Sequence, residues 1–251
     1  MGDGAETRAI ERAVGHRPWP LPAGPWVMFQ SWRELLFAHW PVGREVLRPL
    51  VPPALEVEEW EGRGWVGVAA FRLVGLRPRG SPALPGLSEF PELNLRTYVR
   101  YAGRPGIYFF SLDAGNRLAV AGARLGYRLP YRLARIRIER EGEWVVYRSR
   151  RADGRAEFVG RYRPVGAGFE PAPGTLEHFL IERYALYAVL RSGRVLRADI
   201  HHRPWQVRPA EARIERNTVA SAAGIDLPDD EPLLHYAARQ DTLVWPPRLE
   251  D

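Results

Sequence analysis

Polar side chains alternate with apolar ones along the segment between Glu92 and Arg100. An extended strand has a side-chain period of two, so five polar residues share one face: Glu92, Asn94, Arg96, Tyr98 and Arg100. Two interpretations fit this pattern, since the polar face could lie toward solvent or could line a cavity. In a cavity its charges must pair or bind a ligand, because an unpaired buried charge is costly.

Arginines elsewhere in the chain could contribute to such a site, because a guanidinium group matches a carboxylate bidentately. The candidate ligand-binding residues are Arg33, Glu92, Asn94, Arg96, Tyr98, Arg124 and Arg132. A small organic anion is the class of ligand that suits these arginines. For each arginine, an ordinary salt bridge to a neighbouring carboxylate is the alternative interpretation.

Tyr131 and Arg132 form an adjacent pair that could take part in acid–base chemistry. Tyr131 could donate a hydrogen bond or act as an acid, and a cation beside it would favour the phenolate. The alternative is a purely structural tyrosine. We therefore take Glu92, Tyr131 and Arg132 as the candidate catalytic residues, and we expect Glu92 and Arg132 to face one enclosed cavity.

The composition excludes several kinds of chemistry. All 36 residues counted as Lys+Arg are arginines, and arginine stays protonated and cannot act as an amine nucleophile. The chain also has no cysteine, which excludes disulfides and thiolate catalysis. His201 and His202 are adjacent, so on a strand they point to opposite faces and do not form a two-ligand metal site. We expect no metal and no cofactor.

The formal net charge of +6 could indicate an anionic macromolecular partner. Acidic residues are interspersed among the arginines, however, and the arginines alternate with apolar residues as in half-buried strands, so we expect no nucleic-acid partner. No stretch approaches the roughly 18–20 apolar residues of a membrane span, and the N-terminus lacks a signal-peptide pattern. We therefore expect a cytoplasmic protein with no membrane partner.

Glycine-containing turns between short apolar–polar segments predict a series of hairpins that would place these residues. The predicted strands are 27–32, 55–60, 65–76, 93–101, 107–112, 133–139, 144–150, a return strand after Asp153-Gly154, 195–202 and 233–245. The predicted helices are 6–14, 44–50, 175–184 (capped by Thr175) and 209–222. The pairs 55–60/65–76, 93–101/107–112 and 133–139/144–150 are predicted hairpins.

These elements predict a mainly β protein of the α+β class, with an antiparallel sheet and a few short peripheral helices. Closing such a sheet removes its exposed edges, so we expect a closed barrel or cone. Residues 1–25 are expected to be a peripheral N-terminal segment, and residues 26–251 a single domain.

Five segments follow one another in a distinctive order: Glu92–Val99, Tyr108–Asp113, Leu129–Tyr131, Glu182–Tyr184 and His202–Trp205. Taken in this order, they resemble the YqjF-like family of uncharacterised proteins. The resemblance covers roughly residues 27 to 245. It implies a fold and little about activity.

A more distant resemblance is to acetoacetate decarboxylases. Arg44–Glu56 resembles the helix and proline-rich turn near the start of those enzymes, while Gly122–Tyr127 and Pro130–Ala134 resemble the segment that carries their Pro-Lys-Lys-Leu motif. It implies that their barrel is the fold of this chain too, and it hints at a homo-oligomer.

In that family one lysine of the motif forms a Schiff base with a β-keto acid. Tyr131 and Arg132 hold the two lysine places here, so the resemblance implies that this reaction is lost. It also implies that Glu92 matches an active-site glutamate and Arg33 an arginine that binds the substrate carboxylate. A second family glutamate has no counterpart near Val66–Val68.

Two functions follow as hypotheses. The cavity could bind a small organic anion or carbonyl compound and catalyse a step that needs no imine. Alternatively, the protein is a non-catalytic binding or structural protein that has lost the ancestral decarboxylase chemistry.

Overall fold

A computed structural model describes residues 3–250 of the chain. The helices are α1 (Asp3–Arg12), α2 (Arg44–Leu47), α3 (Arg117–Gly126) and α4 (Leu176–Ile181). The strands are β1 (Met28–Val42), β2 (Glu56–Val57), β3 (Gly64–Pro78), β4 (Phe90–Tyr101), β5 (Arg104–Ala114), β6 (Tyr131–Glu141), β7 (Trp144–Arg151), β8 (Glu157–Pro164), β9 (Ala185–Val189), β10 (Val195–His202), β11 (Arg208–Asn217), β12 (Leu233–Val244) and β13 (Arg248–Leu249). The protein is therefore mainly β with few helices, as predicted.

The strands form one sheet in the order β13-β10-β9-β5-β6-β7-β8-β11-β12-β1-β3-β4-β2, with further pairings β10–β12 and β5–β4. With these further pairings, the hydrogen-bonded strands form closed rings, and every ring contains β5 and β12. The pairings are antiparallel except those of β5 with β6 and with β9. The strands are not spaced evenly round one axis, so the regular barrel or cone that we expected is not confirmed.

A two-residue turn fixes the register of β4 against β5. Ala102 and Gly103 both have positive φ, of 46° and 77°, which is the requirement of the turn type whose twist matches a hairpin. Tyr101 therefore pairs with Arg104, and the ladder continues, with one register shift between Leu95 and Arg96, to Glu92 opposite Ala114. The predicted hairpin of strands 93–101 and 107–112 is confirmed, and it positions the polar face of β4.

Both faces of β4 are buried. Leu93, Leu95 and Val99 belong to one hydrophobic core, while Phe90 and Tyr98 belong to a second core on the opposite face. Glu92, Asn94 and Arg96 share that second face and are each less than 10% exposed. Their polar face therefore points into the protein and not toward solvent.

Two predicted elements are wrong. Residues 209–222 were expected to be helical, but β11 covers Arg208–Asn217 and pairs along its length with β8. Residues 55–60 were expected to form a hairpin with 65–76, but β2 pairs with β4. The turn after Trp60 closes only an isolated bridge to Arg63.

The N-terminal segment packs on the outside of β10 and β12. Ile10 is buried beside Leu243 and Trp245, and Nη1 of Arg17 donates to the carbonyl of Ile200 at 2.8 Å. The predicted helix over 6–14 is confirmed as α1, shifted toward the N-terminus. No helix within residues 3–250 has the length and apolar character needed to cross a lipid bilayer.

Candidate functional site

A cavity of about 510 Å³ lies on the face of β4 that carries the polar residues. Its walls come from β1, β3, β4 and β5, from α3, and from the loop between β3 and β4, with further residues from α4, β6, β9, β10, β12 and the loops beside them. Four of the predicted site residues line it: Glu92, Asn94, Arg96 and Tyr131. The cavity interpretation of the alternating segment is therefore the one that the structure supports.

Glu92 and Tyr131 are joined by a hydrogen bond. The Tyr131 hydroxyl donates to Oε2 of Glu92 at 2.9 Å, and Tyr147 donates to the backbone carbonyl of Glu92 at 2.8 Å. Tyr131 reaches this position because β6 begins parallel to β5, with Tyr131 opposite Leu112. Residues 39 positions apart in the sequence thus meet in one wall.

Burial changes the titration of both partners. Loss of water raises the pKa of Glu92 from its ordinary value of 4.5 to about 7, although hydrogen bonds from Tyr131 and Asn94 partly oppose this. Burial and the nearby Glu92 carboxylate raise the pKa of Tyr131 well above its usual range. Glu92 can therefore gain or lose a proton near neutral pH, while Tyr131 stays a hydrogen-bond donor.

Arg96 is a buried cation that pairs with no carboxylate in residues 3–250. Its side chain is 7% exposed, and its Nε and one terminal nitrogen have no hydrogen-bond partner. The guanidinium lies 4.8 Å from the centre of the Phe37 ring and 6.0 Å from that of Tyr98. Such cation–π contacts supply about 2 kcal/mol when desolvated, less than the several kcal/mol that burying a charge costs.

The groups around Arg96 do not supply a negative charge. His39 has no hydrogen-bond partner on either ring nitrogen, and burial, together with the nearby Arg96 charge, lowers its pKa well below the usual range. His39 is therefore neutral. Burial also raises the pKa of Tyr98, so its hydroxyl stays protonated. The Oδ1 atom of Asn94 is likewise without a donor.

Arg183, another arginine of the cavity wall, differs from Arg96. Its Nη1 donates to Oε2 of Glu58 at 2.5 Å, and both side chains are buried. Arg100 donates to the other Glu58 oxygen at 2.6 Å. The charge of Arg183 is therefore already neutralised within the protein, so Arg96 is the better candidate for binding an anion.

The structure places three predicted arginines away from the cavity. Nε of Arg33 donates to Ser31 at 2.9 Å, Arg124 is exposed and donates to the Tyr131 carbonyl at 2.8 Å, and Arg132 is exposed. None of the three is among the lining residues. The expectation that Glu92 and Arg132 face one enclosed cavity is wrong, because Arg132 follows Tyr131 on a strand and points to the other side.

Arg33 is turned away by a β-bulge in β1. Glu34 has a positive φ of 52°, and the pairing of β1 with β3 shifts register between Arg33 and Leu36. Trp32 and Leu35, three positions apart, therefore both line the cavity. Tyr98, the remaining predicted residue, is fully buried and does not line the cavity, but its ring contacts the Arg96 guanidinium.

Several lining residues were not predicted as site residues. They include Gln30, Trp32, Arg183, His202 and Trp205. Arg183, His202 and Trp205 fall in segments that carry the sequence resemblance, which was a usable signal. Within the described part of the chain, no three His, Asp or Glu side chains converge in a way that could hold a metal ion.

Comparison with known sequences places the chain among uncharacterised proteins. The model of DUF2071, described as an uncharacterized conserved protein, matches residues 29–241. The chain is also 50% identical to the uncharacterized protein YqjF of Bacillus subtilis (strain 168) over 229 residues, which cover 91% of this chain and 94% of that protein.

Comparison with solved structures confirms the expected likeness to acetoacetate decarboxylases. One similar structure is the enduracididine biosynthesis enzyme MppR, complexed with the condensation product of pyruvate and imidazole 4-carboxaldehyde. Its TM-score is 0.66 at 14% identity over 92% of each chain. Another is acetoacetate decarboxylase from Legionella pneumophila, with a TM-score of 0.61 at 14% identity over 97% of this chain and 95% of that one. At these identities the likeness shows a shared fold.

Proposed function

The chain belongs to the DUF2071 family of uncharacterized conserved proteins, and we propose that it binds a small organic anion or carbonyl compound in the cavity beside β4. The proposal extends to a chemical step that needs no imine, with Glu92 as the proton-transferring group. A Schiff base on a lysine is excluded, because the chain contains no lysine.

The observation that carries the proposal is the uncompensated charge of Arg96. Its guanidinium lies in the cavity wall, two of its nitrogens have no hydrogen-bond partner, and no carboxylate in residues 3–250 pairs with it. An anionic ligand would supply both the missing hydrogen bonds and the missing negative charge. The free Oδ1 of Asn94 could accept a hydrogen bond from the same ligand. The cavity volume also falls within the range of about 300–1,000 Å³ that is usual for small-molecule sites.

The Glu92–Tyr131 pair supports the chemical part of the proposal. A general acid or base works best when its pKa lies near the working pH, and the pKa of Glu92 is about 7. Tyr131 can donate to a carbonyl oxygen or keep the carboxyl oriented. Proton transfer at the carbon beside a ligand carbonyl is the step that these groups suit.

Ligand binding is tested by thermal denaturation of the wild-type protein with a panel of small carboxylates and keto acids. A ligand that binds only the folded state raises Tm in proportion to ln(1 + [L]/Kd). We expect a rise for wild type and its loss in Arg96→Gln. Arg132→Gln is the matched control, since it removes a charge that faces solvent. No shift with any anion, or an equal loss in the control, would overturn the proposal.

A non-catalytic binding protein is the second candidate, and it predicts the same shift in Tm without turnover. Exchange of the ligand's α-protons in D₂O, followed by NMR, separates the two. Catalysis predicts exchange that wild type accelerates and Glu92→Gln does not. A bound keto acid that exchanges no faster than in buffer would leave binding as the function. MppR, named as a complex with a pyruvate condensation product, motivates including pyruvate-derived acids in the panel.

A further inference from the structure

The charged and polar residues that β4 contributes to the cavity lie toward one end of it. Along β4 the residues that face the cavity run from Arg96 through Asn94 and Glu92 to Phe90, so the wall becomes apolar toward the start of the strand. Arg96 and Phe90 are six residues apart, about 20 Å along an extended strand. Beyond Phe90 the lining also includes Arg77 and Ser88, but Arg77 stacks on Phe29 at 3.9 Å and donates to the Gly75 carbonyl, and Ser88 accepts from the Leu84 N–H. The cavity therefore runs from the charged end at Arg96 to an end that is mainly apolar.

The neighbouring strand β3 extends the apolar end. Phe71 lies opposite Glu92, and Leu73 lies opposite Phe90. Both side chains are buried and line the cavity. They present only carbon to a ligand that reaches past Glu92, so this end offers hydrophobic burial and no hydrogen bonds from their side chains.

The far end is formed by α3 and by the loop between β3 and β4. Leu84 of the loop and Leu118 of α3 line the cavity there. The two elements are tied together by Asn116, whose Nδ2 donates to the Gly86 carbonyl at 3.0 Å while its Oδ1 caps α3. Leu84 is 53% and Leu118 is 72% exposed, so both are partly open to solvent.

A two- to four-carbon acid held at Arg96 would leave most of this apolar surface uncovered. Each methylene group removed from water contributes about 0.8 kcal/mol, which corresponds to about fourfold in affinity. We propose that the ligand is a monocarboxylate with an extended apolar tail, whose head group binds at Arg96 and whose tail lies between β3, β4, α3 and the loop. This inference rests on the proposed function, since it names the ligand class of the same site.

The test is isothermal titration of the full chain with straight-chain monocarboxylates of two to twelve carbons, below their micelle concentrations. We expect affinity to rise about fourfold per methylene until the cavity is filled. Primary alcohols of equal length serve as the comparison without a head-group charge. They should bind more weakly than the acids, and the difference should disappear in Arg96→Gln.

A matched pair of leucines tests the position of the tail. Leu118 and Leu125 lie on α3 and are both 72% exposed, but only Leu118 lines the cavity. Leu118→Gln should weaken the longest acids severalfold and leave the shortest unchanged, and Leu125→Gln should change neither.

The outcomes are distinguishable from failure of the proposed function. If no acid of any length binds, both the proposed function and this inference fail. If short acids bind and added methylenes give no gain, the anion site stands and the apolar-tail inference is overturned. Equal affinity of alcohols and acids at every length, or a gain with length that Leu125→Gln reduces as much as Leu118→Gln, also overturns it.

Discussion

The hydroxyl of Tyr131 lies 2.9 Å from Oε2 of Glu92 and donates a hydrogen bond to it. Tyr131 lies in the cavity wall at one of the two positions where the resemblance to acetoacetate decarboxylases implies a lysine. The bond joins β4 to β6, two strands that are separated by β5 in the sheet order.

Tyr131→Phe should raise the pKa of Glu92 above about 7, because the hydrogen bond from Tyr131 favours the carboxylate. It should also lower the free energy of unfolding by about 1–3 kcal/mol at pH 8, where the ionised Oε2 loses its donor. Infrared titration of the Glu92 carboxyl band, with Glu92→Gln to assign it, measures the pKa. An unchanged pKa would show that the hydrogen bond does not hold in solution.

Glu92 should make the protein less stable as the pH rises. Its pKa is about 7 in the folded state against an ordinary value of 4.5, so the folded state binds the proton more tightly. The stabilisation is fully present below pH 4.5 and is lost as the pH passes 7, a change of roughly 3 kcal/mol.

Urea denaturation of wild type and Glu92→Gln at pH 5 and pH 8 measures that dependence. The glutamine variant, which resembles the protonated acid, should gain stability relative to wild type at the higher pH. Parallel pH profiles for the two proteins would contradict the prediction.

Arg96→Met should stabilise the unliganded protein by on the order of 1–3 kcal/mol, because it removes a buried charge without a carboxylate partner. Arg151 provides the control: it is also 7% exposed, but it pairs with Asp113 at 3.0 Å. Arg151→Met should cost about 3–5 kcal/mol, since it leaves a buried carboxylate unpaired. Equal destabilisation of the two variants would show that Arg96 is held by internal partners after all.

Tyr131→Lys should create an amine able to form an imine with a keto acid. The lysine would lie in the cavity wall beside Glu92, which can exchange a proton with it, and burial favours its neutral, nucleophilic form. Borohydride reduction followed by mass spectrometry should show a covalent adduct at residue 131. The Arg132→Lys variant, in which the new lysine faces solvent, and the wild-type protein measure the background labelling. Labelling of the two lysine variants at the same rate would argue against the cavity placement of residue 131.

The hairpins of this fold were predictable because turn residues and alternation act locally. Residues 209–222 were not predicted correctly, because alanine, glutamate and arginine favour a helix. Helix propensities differ by less than about 0.7 kcal/mol among such residues, and pairing with β8 outweighs them. The alternation of Ala210, Ala212 and Ile214, all packed against the core, was the signal for a strand.

The site residues that lie on one strand were predictable from the sequence. The residues whose orientation depends on a β-bulge, or on which of two adjacent residues faces the cavity, were not predicted correctly. Period two was sufficient to group Glu92, Asn94 and Arg96. The same period, applied to Tyr131 and Arg132, would have placed only one of them in the cavity. The bulge at Glu34 depends on the long-range pairing of β1 with β3, so the orientation of Arg33 could not be read from neighbouring residues.

The hydrogen bond from Asn116 to Gly86 connects the start of α3 to the loop between β3 and β4, and both segments lie outside the sheet. Insertions or deletions between β3 and β4 would move this end without breaking a strand pairing, whereas the Arg96 end is fixed by ladders on both sides. Relatives with a shorter or longer loop should therefore differ in the size of the ligand that they accept, while the position that binds its negative charge stays the same.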